Sequence, residues 1–242
     1  TVSSEPNDFA WGKVTGARSY LYGEEVTLQA TPEYGYDFVK WSDDVTGDTR
    51  KFYITRDTTL NAIFAPHKFT VDATPNNALW GKVLGGGQYE YNTSAHLEAQ
   101  PNPHYHLVGW SNGHTLHTLD TVVERNISLE ARFAIDTFNI KVTTSNPAVS
   151  EPVKGTGSYP YGTVIEIEAR STDDSYRFVQ WNDGNKENPR RVAVTEHQTY
   201  EAEYARFYRV SVQPFNKDHG YTIGSGWFAE NHYDSIEAKP AA

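Results

Sequence analysis

The sequence predicts a mainly β protein built as a tandem array of small modules of about 70 residues each. A segment at residues 36–43 returns at 105–112 and 176–183 with the same order of aromatic, apolar, valine, tryptophan and Asp or Asn positions. Its tryptophans are residues 41, 110 and 181, which are 69 and 71 residues apart. Apolar and polar residues also alternate in short runs between Gly, Pro, Asn and Asp, without a helical period. Together these patterns indicate one β module that has been copied along the chain.

The period divides the 242 residues into three modules and a remainder. We assign module one to residues 1–65, module two to 66–134, module three to 135–205 and a partial module four to 206–242. The sequence contains no methionine, and the fourth copy stops before its tryptophan. We therefore expect a mature or excised piece of a longer protein.

Within a module, the pattern predicts six short strands. In module one, Val26, Leu28 and Ala30 alternate with polar residues, which is typical of a half-buried strand. The recurring segment forms the next long strand, and a polar turn at 43–48 follows it. The last strand points Leu60, Ala62 and Phe64 inward, and the other two full modules repeat these core positions at Leu97, Ala99, Leu129, Ala131, Phe133, Ile165, Ile167, Ala169, Tyr200, Ala202 and Tyr204.

The connections between modules are very short. Only residues 65–68, 134–137 and 205–207 separate the last core aromatic of one module from the first of the next. Linkers of this length cannot act as flexible tethers, so we expect the modules to pack end to end into a stiff, elongated rod. Because each module has a small core, contacts with its neighbours should add to its stability.

Composition excludes several classes of function. The 21 basic and 31 acidic residues leave a net charge of −10, which repels polyanions and argues against nucleic acid and anionic membranes as partners. No apolar run is long enough for direct membrane insertion. The absence of cysteine excludes disulfides, thiolate metal sites and cysteine nucleophiles.

The sequence carries no sign of catalysis. It contains no serine nucleophile elbow, no glycine-rich phosphate loop before a helix and no recurring pair of carboxylates. We therefore expect that this segment is not an enzyme and that it uses no cofactor.

Three tryptophans are not shared by every module. Trp11 and Trp80 align with Ser150 of module three, and Trp227 aligns with Ser158. A residue of the common core would not vary in this way. One interpretation is that these tryptophans contact a neighbouring module; the other is that they form a platform on which a sugar or peptide stacks, which makes them candidate ligand-binding residues.

Two groups of residues suggest metal binding, although an ordinary interpretation is favoured for both. His104, His106, His114 and His117 surround the recurring segment of module two, but no carboxylate or cysteine completes a metal-binding spacing. Solvent-facing histidines are the simpler interpretation. The turns 43–48 and 182–185 are rich in oxygen ligands suited to calcium, yet tight hairpin turns demand the same residues. No metal is assigned.

The chain resembles a known family over nearly its whole length. The resemblance rests on the recurring tryptophan segment, on the pattern Gly-x-Gly-x-Tyr-x-Tyr-Gly at 155–162 and on the closing turn Asp-Thr-Thr-Leu at 57–60. These motifs resemble the divergent internalin B-repeat family. The closing turn departs from the family pattern at 126–129 and 197–200, where we expect different turn chemistry.

The resemblance implies a small β-grasp-like sheet in each module and an extracellular or bacterial cell-surface location. It also implies a structural or adhesive array that acts as a stiff spacer or stalk and projects another domain. The alternative is a module that binds carbohydrate or a protein partner through the variable exposed aromatics. Expected partners are thus the neighbouring modules of the same chain and a protein or glycan ligand.

Overall fold

A computed structural model describes residues 1–241. Its strands are β1 (Val2–Ser3), β2 (Gly12–Thr15), β3 (Glu25–Pro32), β4 (Tyr36–Trp41), β5 (Thr49–Tyr53), β6 (Thr58–Thr59), β7 (Ala62–Pro66), β8 (Lys68–Pro75), β9 (Gly81–Leu84), β10 (Gly87–Glu90), β11 (Thr93–Pro101), β12 (Tyr105–Trp110), β13 (Thr118–Val123), β14 (Ile127–Ile135), β15 (Thr137–Thr144), β16 (Gly157–Pro160), β17 (Val164–Ile167), β18 (Tyr176–Trp181), β19 (Arg190–Ala193), β20 (Gln198–Val210), β21 (Gly220–Ile223), β22 (Gly226–Ala229) and β23 (Glu237–Pro240). One short 3-10 turn lies at Pro147–Val149. The predicted mainly β class is confirmed. In residues 1–241 no helix has the length and apolar character needed to cross a membrane.

Module two shows the arrangement most completely. Strands β10, β8, β14 and β12 form a mixed sheet in that order, in which the first and last long strands, β8 and β14, run parallel. Strands β13, β11 and β9 form a second, antiparallel sheet. Apolar side chains such as Val71, Leu97 and Leu129 come from both sheets and meet in one buried cluster. The alternation of apolar and polar residues thus decides which face of each sheet is buried.

Modules one and three vary this plan slightly. Module one pairs β1 with β6 in parallel and β4 with β7 in antiparallel orientation, because its last strand is interrupted between Thr59 and Ala62. Module three replaces a regular strand by two isolated bridges, Ser150 with Ser171 and Lys154 with Glu168. Six strands per module were predicted; module three has six, whereas modules one and two each have seven.

The recurring tryptophans are core residues, as predicted. Trp41, Trp110 and Trp181 are only 0%, 3% and 0% exposed. Each indole N–H donates to a backbone carbonyl in the turn that follows: Gly47 at 2.7 Å, Leu116 at 3.0 Å and Glu187 at 2.8 Å. A buried indole needs such an acceptor. This requirement explains why a polar turn always follows the tryptophan.

The recurring valine, by contrast, is not buried. Val39, Val108 and Val179 are 42%, 56% and 38% exposed, although they belong to the segment whose repetition indicates a core. In β4 and β18 the pairing register shifts at this residue, between Phe38 and Lys40 and between Phe178 and Gln180. A bulge leaves its extra residue unpaired and turns the following residues to the other side. The valine therefore lies outside while the tryptophan two residues later faces the core.

The chain forms two compact units, of which the first is Thr1–Ala134 and the second begins at Ile135. Modules one and two thus share one unit, and module three shares the other with the partial module four. Strand β20 crosses the boundary between modules three and four: it pairs with β18 in module three and with β22 in module four. The predicted end-to-end rod stays a prediction.

Candidate functional site

The candidate site is the junction between modules one and two, where strands β7 and β8 are separated by His67 alone. The backbone N–H of His67 donates to the carbonyl of Gly35 at 2.8 Å. Its carbonyl accepts from the N–H of Tyr91 at 2.8 Å. A single linker residue therefore holds the turn before β4 and the turn after β10 together. Since both backbone groups of the linker are engaged, the connection has little freedom to bend.

Gly35 makes a close contact between the two modules. It is buried, and its φ of +85° lies in the left-handed region that favours glycine. A Cβ at this position would lie 2.4 Å from Cδ1 of Tyr91. The ring of Tyr91 thus rests directly on the Gly35 backbone. It also makes edge contacts with Tyr34 at 5.8 Å and Tyr36 at 5.5 Å between ring centroids.

Polar contacts surround this aromatic cluster. The Tyr34 hydroxyl donates to the backbone carbonyl of Glu124 at 2.9 Å. Nδ1 of His67 lies 2.8 Å from Oδ2 of Asp37, and the His67 ring meets the edge of Phe69 at 4.7 Å. The junction therefore combines aromatic packing with backbone and side-chain hydrogen bonds between the two modules.

Trp11 and Trp80 occupy equivalent places in modules one and two. Trp11 stacks on Tyr36 with ring centroids 5.3 Å apart, and Trp80 stacks on Tyr105 at 5.7 Å. Both indoles are half-buried and pack on the core cluster of their own module. Tyr36, on which Trp11 stacks, makes an edge contact with Tyr91 of the neighbouring module. Whether either tryptophan binds a ligand stays a prediction.

The sequence alignment assigned the wrong residue of module three to the position of these tryptophans. The backbone carbonyl of Trp11 accepts from the N–H of Glu33 at 3.0 Å, and that of Trp80 accepts from the N–H of Asn102 at 2.9 Å. In module three the equivalent hydrogen bond runs from the N–H of Thr172 to the carbonyl of Val149, at 2.8 Å. Val149, not Ser150, is therefore the structural counterpart. On the strand that corresponds to β9, the two isolated bridges of module three are separated by one more residue than the equivalent residue pairs between β9 and β11 of module two. A comparison of sequences alone does not locate such an insertion.

A turn closed by a recurring side-chain hydrogen bond positions the tryptophans. The side-chain oxygens of Asp8, Asn77 and Asn216 accept from the backbone N–H two residues on, at 2.8, 2.9 and 2.9 Å. In modules one and two the residue directly after this N–H donor is the tryptophan, and in module four it is His219. An Asp or Asn three residues before the variable position was the signal.

Trp227 lies at the junction between modules three and four. Its indole is 41% exposed, and the guanidinium of Arg177 lies 5.0 Å from its ring centroid and 4.9 Å from that of Phe207. The carbonyl of Arg206 accepts from Glu230 N–H at 2.8 Å, as His67 accepts from Tyr91. For Trp227, contact with the neighbouring module is therefore observed directly. This junction uses cation–π contacts where the first one uses aromatic pairs.

The four histidines of module two are dispersed among structural roles. His104 has a φ of +71° and occupies the place of Gly35, and Nε2 of His114 lies 2.9 Å from the carbonyl oxygen of Thr118. His106 lies in β12, and the carbonyl of His117 accepts from the N–H of Ala99 at 2.7 Å. Within residues 1–241 no three potential ligands are grouped so that they could hold a metal ion.

The acidic turns are held by basic side chains. Oδ2 of Asp43 lies 2.9 Å from the Arg50 guanidinium, and Oδ2 of Asp183 lies 2.5 Å from that of Arg190. Partial burial is the largest single effect on the pKa of Asp183 and acts to raise it, but the hydrogen bonds from Arg190 and the Asn185 backbone, together with the charge of Arg190, lower the pKa overall. Module two replaces both partners together, by Asn112 and Leu119. The carboxylates thus serve as one half of a turn-closing ion pair.

Glu168 in module three is the one buried charged residue among those described. Its carboxylate accepts from Lys154 at 2.5 Å and from Arg170 at 2.6 Å. These two hydrogen bonds lower the pKa of Glu168. The isolated bridge between Lys154 and Glu168 therefore has an ionic contact beside its backbone pairing.

Comparison with known proteins identifies the repeat. The family model of the divergent InlB B-repeat domain matches residues 5–68, 69–137 and 140–206. No curated protein matches the chain significantly. Nine chains of solved structures match, among them the Bacillus anthracis TIE protein, with 11% identity, a TM-score of 0.45 and coverage of 84% of this chain and 49% of that chain. The chain thus spans about half the length of that structure, and so distant a likeness carries no functional argument.

Proposed function

Because the chain belongs to the divergent InlB B-repeat family, we propose that it is a stiff, non-catalytic spacer or stalk segment of a bacterial cell-surface or secreted protein. The observation that carries this proposal is the contact of Tyr91 with the backbone of Gly35. A spacer needs modules that resist bending at their junctions. A one-residue linker, a glycine fitted under an aromatic ring and hydrogen bonds on both sides meet that need.

The second observed junction supports the same role with different residues. Strand β20 continues without interruption from module three into module four, and the Arg177 guanidinium lies between Phe207 and Trp227. A continuous strand is a stiffer connection than any loop. Two unlike sets of side chains thus serve one mechanical purpose.

The carboxylates with lowered pKa support a structural role. The pKa of Glu24 is lowered by the hydrogen bond from the Leu21 N–H and then by Arg18, that of Asp44 by Lys40, and that of Glu168 by Lys154 and Arg170. Catalytic sites shift the pKa of acids and bases toward the working pH, whereas ion pairs drive carboxylates away from it. These acids stay ionised at neutral pH, as residues that stabilise turns and strand ends do.

Small-angle X-ray scattering of the whole chain tests the spacer proposal. We expect an elongated distance distribution that changes little between low and high salt. A variant with four Gly/Ser residues inserted after His67 provides the comparison, because it loosens one junction and leaves the cores intact. A compact wild-type profile, or an insertion that leaves the profile unchanged, would contradict the proposal.

The second candidate function is ligand binding through Trp11, Trp80 and Trp227. The partial exposure of Trp227, at 41%, favours it. The tyrosines stacked on Trp11 and Trp80 argue for a structural use of those two rings. A glycan array probed with wild type and with the triple alanine variant separates the candidates: binding lost in the variant supports a ligand platform, and equal signals support the spacer role alone.

A further inference from the structure

Modules one and two carry equivalent polar clefts that Trp11, Trp80 and Trp227 do not line. Cleft one, of about 590 Å³, lies between the turn after β4 and the turn before β6, and its lining includes Asp43, Arg50, Phe52, Arg56, Asp57, Thr58 and Thr59. Cleft two, of about 320 Å³, lies at the same place in module two, lined by Asn112, Thr121, Glu124, Arg125, Asn126 and Ser128 among others. Both volumes fall within the range of small-ligand sites.

Each cleft holds an arginine whose guanidinium is unpaired. Arg56 and Arg125 lie two residues before β6 and β14. Among residues 1–241 neither guanidinium has a hydrogen bond, an ion pair or a ring contact, whereas most arginines of the chain hold a carboxylate or lie over a ring. In module three the residue two positions before β20 is Glu196, so the charge at this place is reversed.

The other cleft residues present hydroxyl, amide and carboxylate groups. Cleft one has Thr58, Thr59 and Asp43, and cleft two has Thr121, Ser128 and Asn112. Such groups bond to hydroxyls, and an unpaired guanidinium presents its donors in the fork that a carboxylate accepts. Phe52 adds an aromatic ring beside Arg56 in cleft one. This combination fits a sugar that carries a carboxylate.

We propose that cleft one and cleft two bind acidic sugar units of a polysaccharide with sparse carboxylate groups. Two like sites in successive modules suit a polymer that repeats the same charged unit. The net charge of −10 repels a densely charged polyanion, so the ligand has neutral sugars between its acidic ones. This site is distinct from Trp11, Trp80 and Trp227, and it does not depend on the spacer role.

Each cleft has a carboxylate next to its arginine, which gives the proposal an internal comparison. Asp57 follows Arg56 in cleft one, and Glu124 precedes Arg125 in cleft two; the equivalent residues of the other module are Asn126 and Thr55. A carboxylate next to the arginine repels an acidic ligand. We therefore expect Asp57→Asn to raise the affinity of cleft one and Glu124→Thr to raise that of cleft two.

Isothermal titration calorimetry of the whole chain at low salt tests the proposal, with a hyaluronan tetrasaccharide as the probe because a carboxylate stands on every second sugar. We expect two sites in wild type, one in Arg125→Glu, and at least about tenfold weaker binding in R56E/R125E, which introduces the acidic residue found in module three. R191E/R209E is the matched control, because it changes two other unpaired arginines by the same total charge and should bind as wild type does. Thermal melts establish that all variants fold.

Several outcomes would overturn the proposal. Wild type that does not bind the tetrasaccharide, or equal weakening in R56E/R125E and R191E/R209E, would show that the clefts recognise nothing beyond overall charge. Equal binding of an uncharged chitin oligosaccharide would remove the role of the carboxylate. Tighter binding of a short polyglutamate peptide would assign the clefts to an acidic protein segment instead.

Discussion

At the scale of single residues, Gly35 shows how one position can serve two needs. Its backbone is left-handed, with φ at +85°, and its missing side chain makes room for Tyr91. Gly23 has nearly the same backbone, with φ at +79°, but no atom lies within 4 Å of where its Cβ would be. A comparison of the two glycines therefore distinguishes the effect of the left-handed backbone from the effect of contact between the modules.

We expect Gly35→Ala to destabilise unit one more than Gly23→Ala does. A left-handed alanine costs about 1–2 kcal/mol at either position. At Gly35 the new methyl group also meets the Tyr91 ring, and overpacking of this kind costs about 1–3 kcal/mol more. Urea denaturation curves of both variants give the difference in the free energy of unfolding. Equal destabilisation would show that Tyr91 moves aside without loss.

Glu168 makes the stability of module three depend on pH in a predictable direction. Its folded pKa lies below the ordinary value of 4.5 because Lys154 and Arg170 bond to the carboxylate. The stabilisation is therefore complete above about pH 5 and is lost as the pH falls through the lower folded pKa. Glu168→Gln should melt at a lower temperature than wild type at pH 7, and the gap should close toward pH 2.5.

Glu166→Gln is the control for that measurement. Glu166 lies in β17, two residues from Glu168, and its side chain is exposed. It should melt as wild type does at both pH values. A gap between Glu168→Gln and wild type that stays constant with pH would mean that the ion pairs contribute nothing and that shape alone is lost.

At the scale of elements, the turn after the buried tryptophan is held in two alternative ways. Modules one and three use the ion pairs Asp43 with Arg50 and Asp183 with Arg190. Module two has Asn112 and Leu119 at these places and lacks the ion pair; Asn112 keeps only the bond from the His114 N–H, at 3.1 Å, which Asp183 also makes with the Asn185 N–H at 3.1 Å. The partners change together because a lone charge at a partly buried turn would be unfavourable.

A double-mutant cycle at Asp43 and Arg50 tests this coupling. D43N and R50L alone should each destabilise module one, because each leaves a charged partner without its counterion. The double variant D43N/R50L, which copies module two, should recover about 0.5–1 kcal/mol relative to the sum of the single changes. Additive effects in thermal or urea unfolding would contradict the pairing.

At the scale of the whole molecule, the observed junctions use different chemistry. Modules one and two meet through Gly35, Tyr91 and the pair of His67 with Asp37. Modules three and four meet through Arg177 between Phe207 and Trp227. Different side chains at equivalent places reduce pairing between the wrong modules during folding, since each end fits its own neighbour best.

Arg177→Ala should loosen module four without affecting module two. Cation–π contacts contribute about 0.5–2 kcal/mol. We therefore expect faster amide hydrogen exchange in β22, with β8 and β10 unchanged. Arg177→Lys should restore part of the protection because it keeps the positive charge over the rings. Unchanged exchange in β22 of the alanine variant would show that the continuous strand β20 alone holds the junction.

Local patterns in the sequence sufficed for the β class, the repeat and the buried faces. The sidedness of a strand is a local property with a period of two, so Val26, Leu28 and Ala30 could be assigned inward from their neighbours alone. The buried tryptophans followed from their recurrence, since a shared core changes least among copies. The exposed valine broke this rule, because a bulge shifts sidedness by one residue without leaving a mark in the sequence.

Contacts between residues far apart in the chain were decided by tertiary structure. That Tyr91 rests on Gly35, that Trp11 stacks on Tyr36 and that Val149 takes the place of Trp80 in module three depend on how turns from separate strands meet. Arg56 could be seen in the sequence, but its lack of a partner could not, because pairing depends on which carboxylates lie within about 4 Å. Core positions recur in the sequence because every module has to bury the same faces of its strands. The contacts in each junction and cleft differ from module to module, so no recurring sequence pattern marks them.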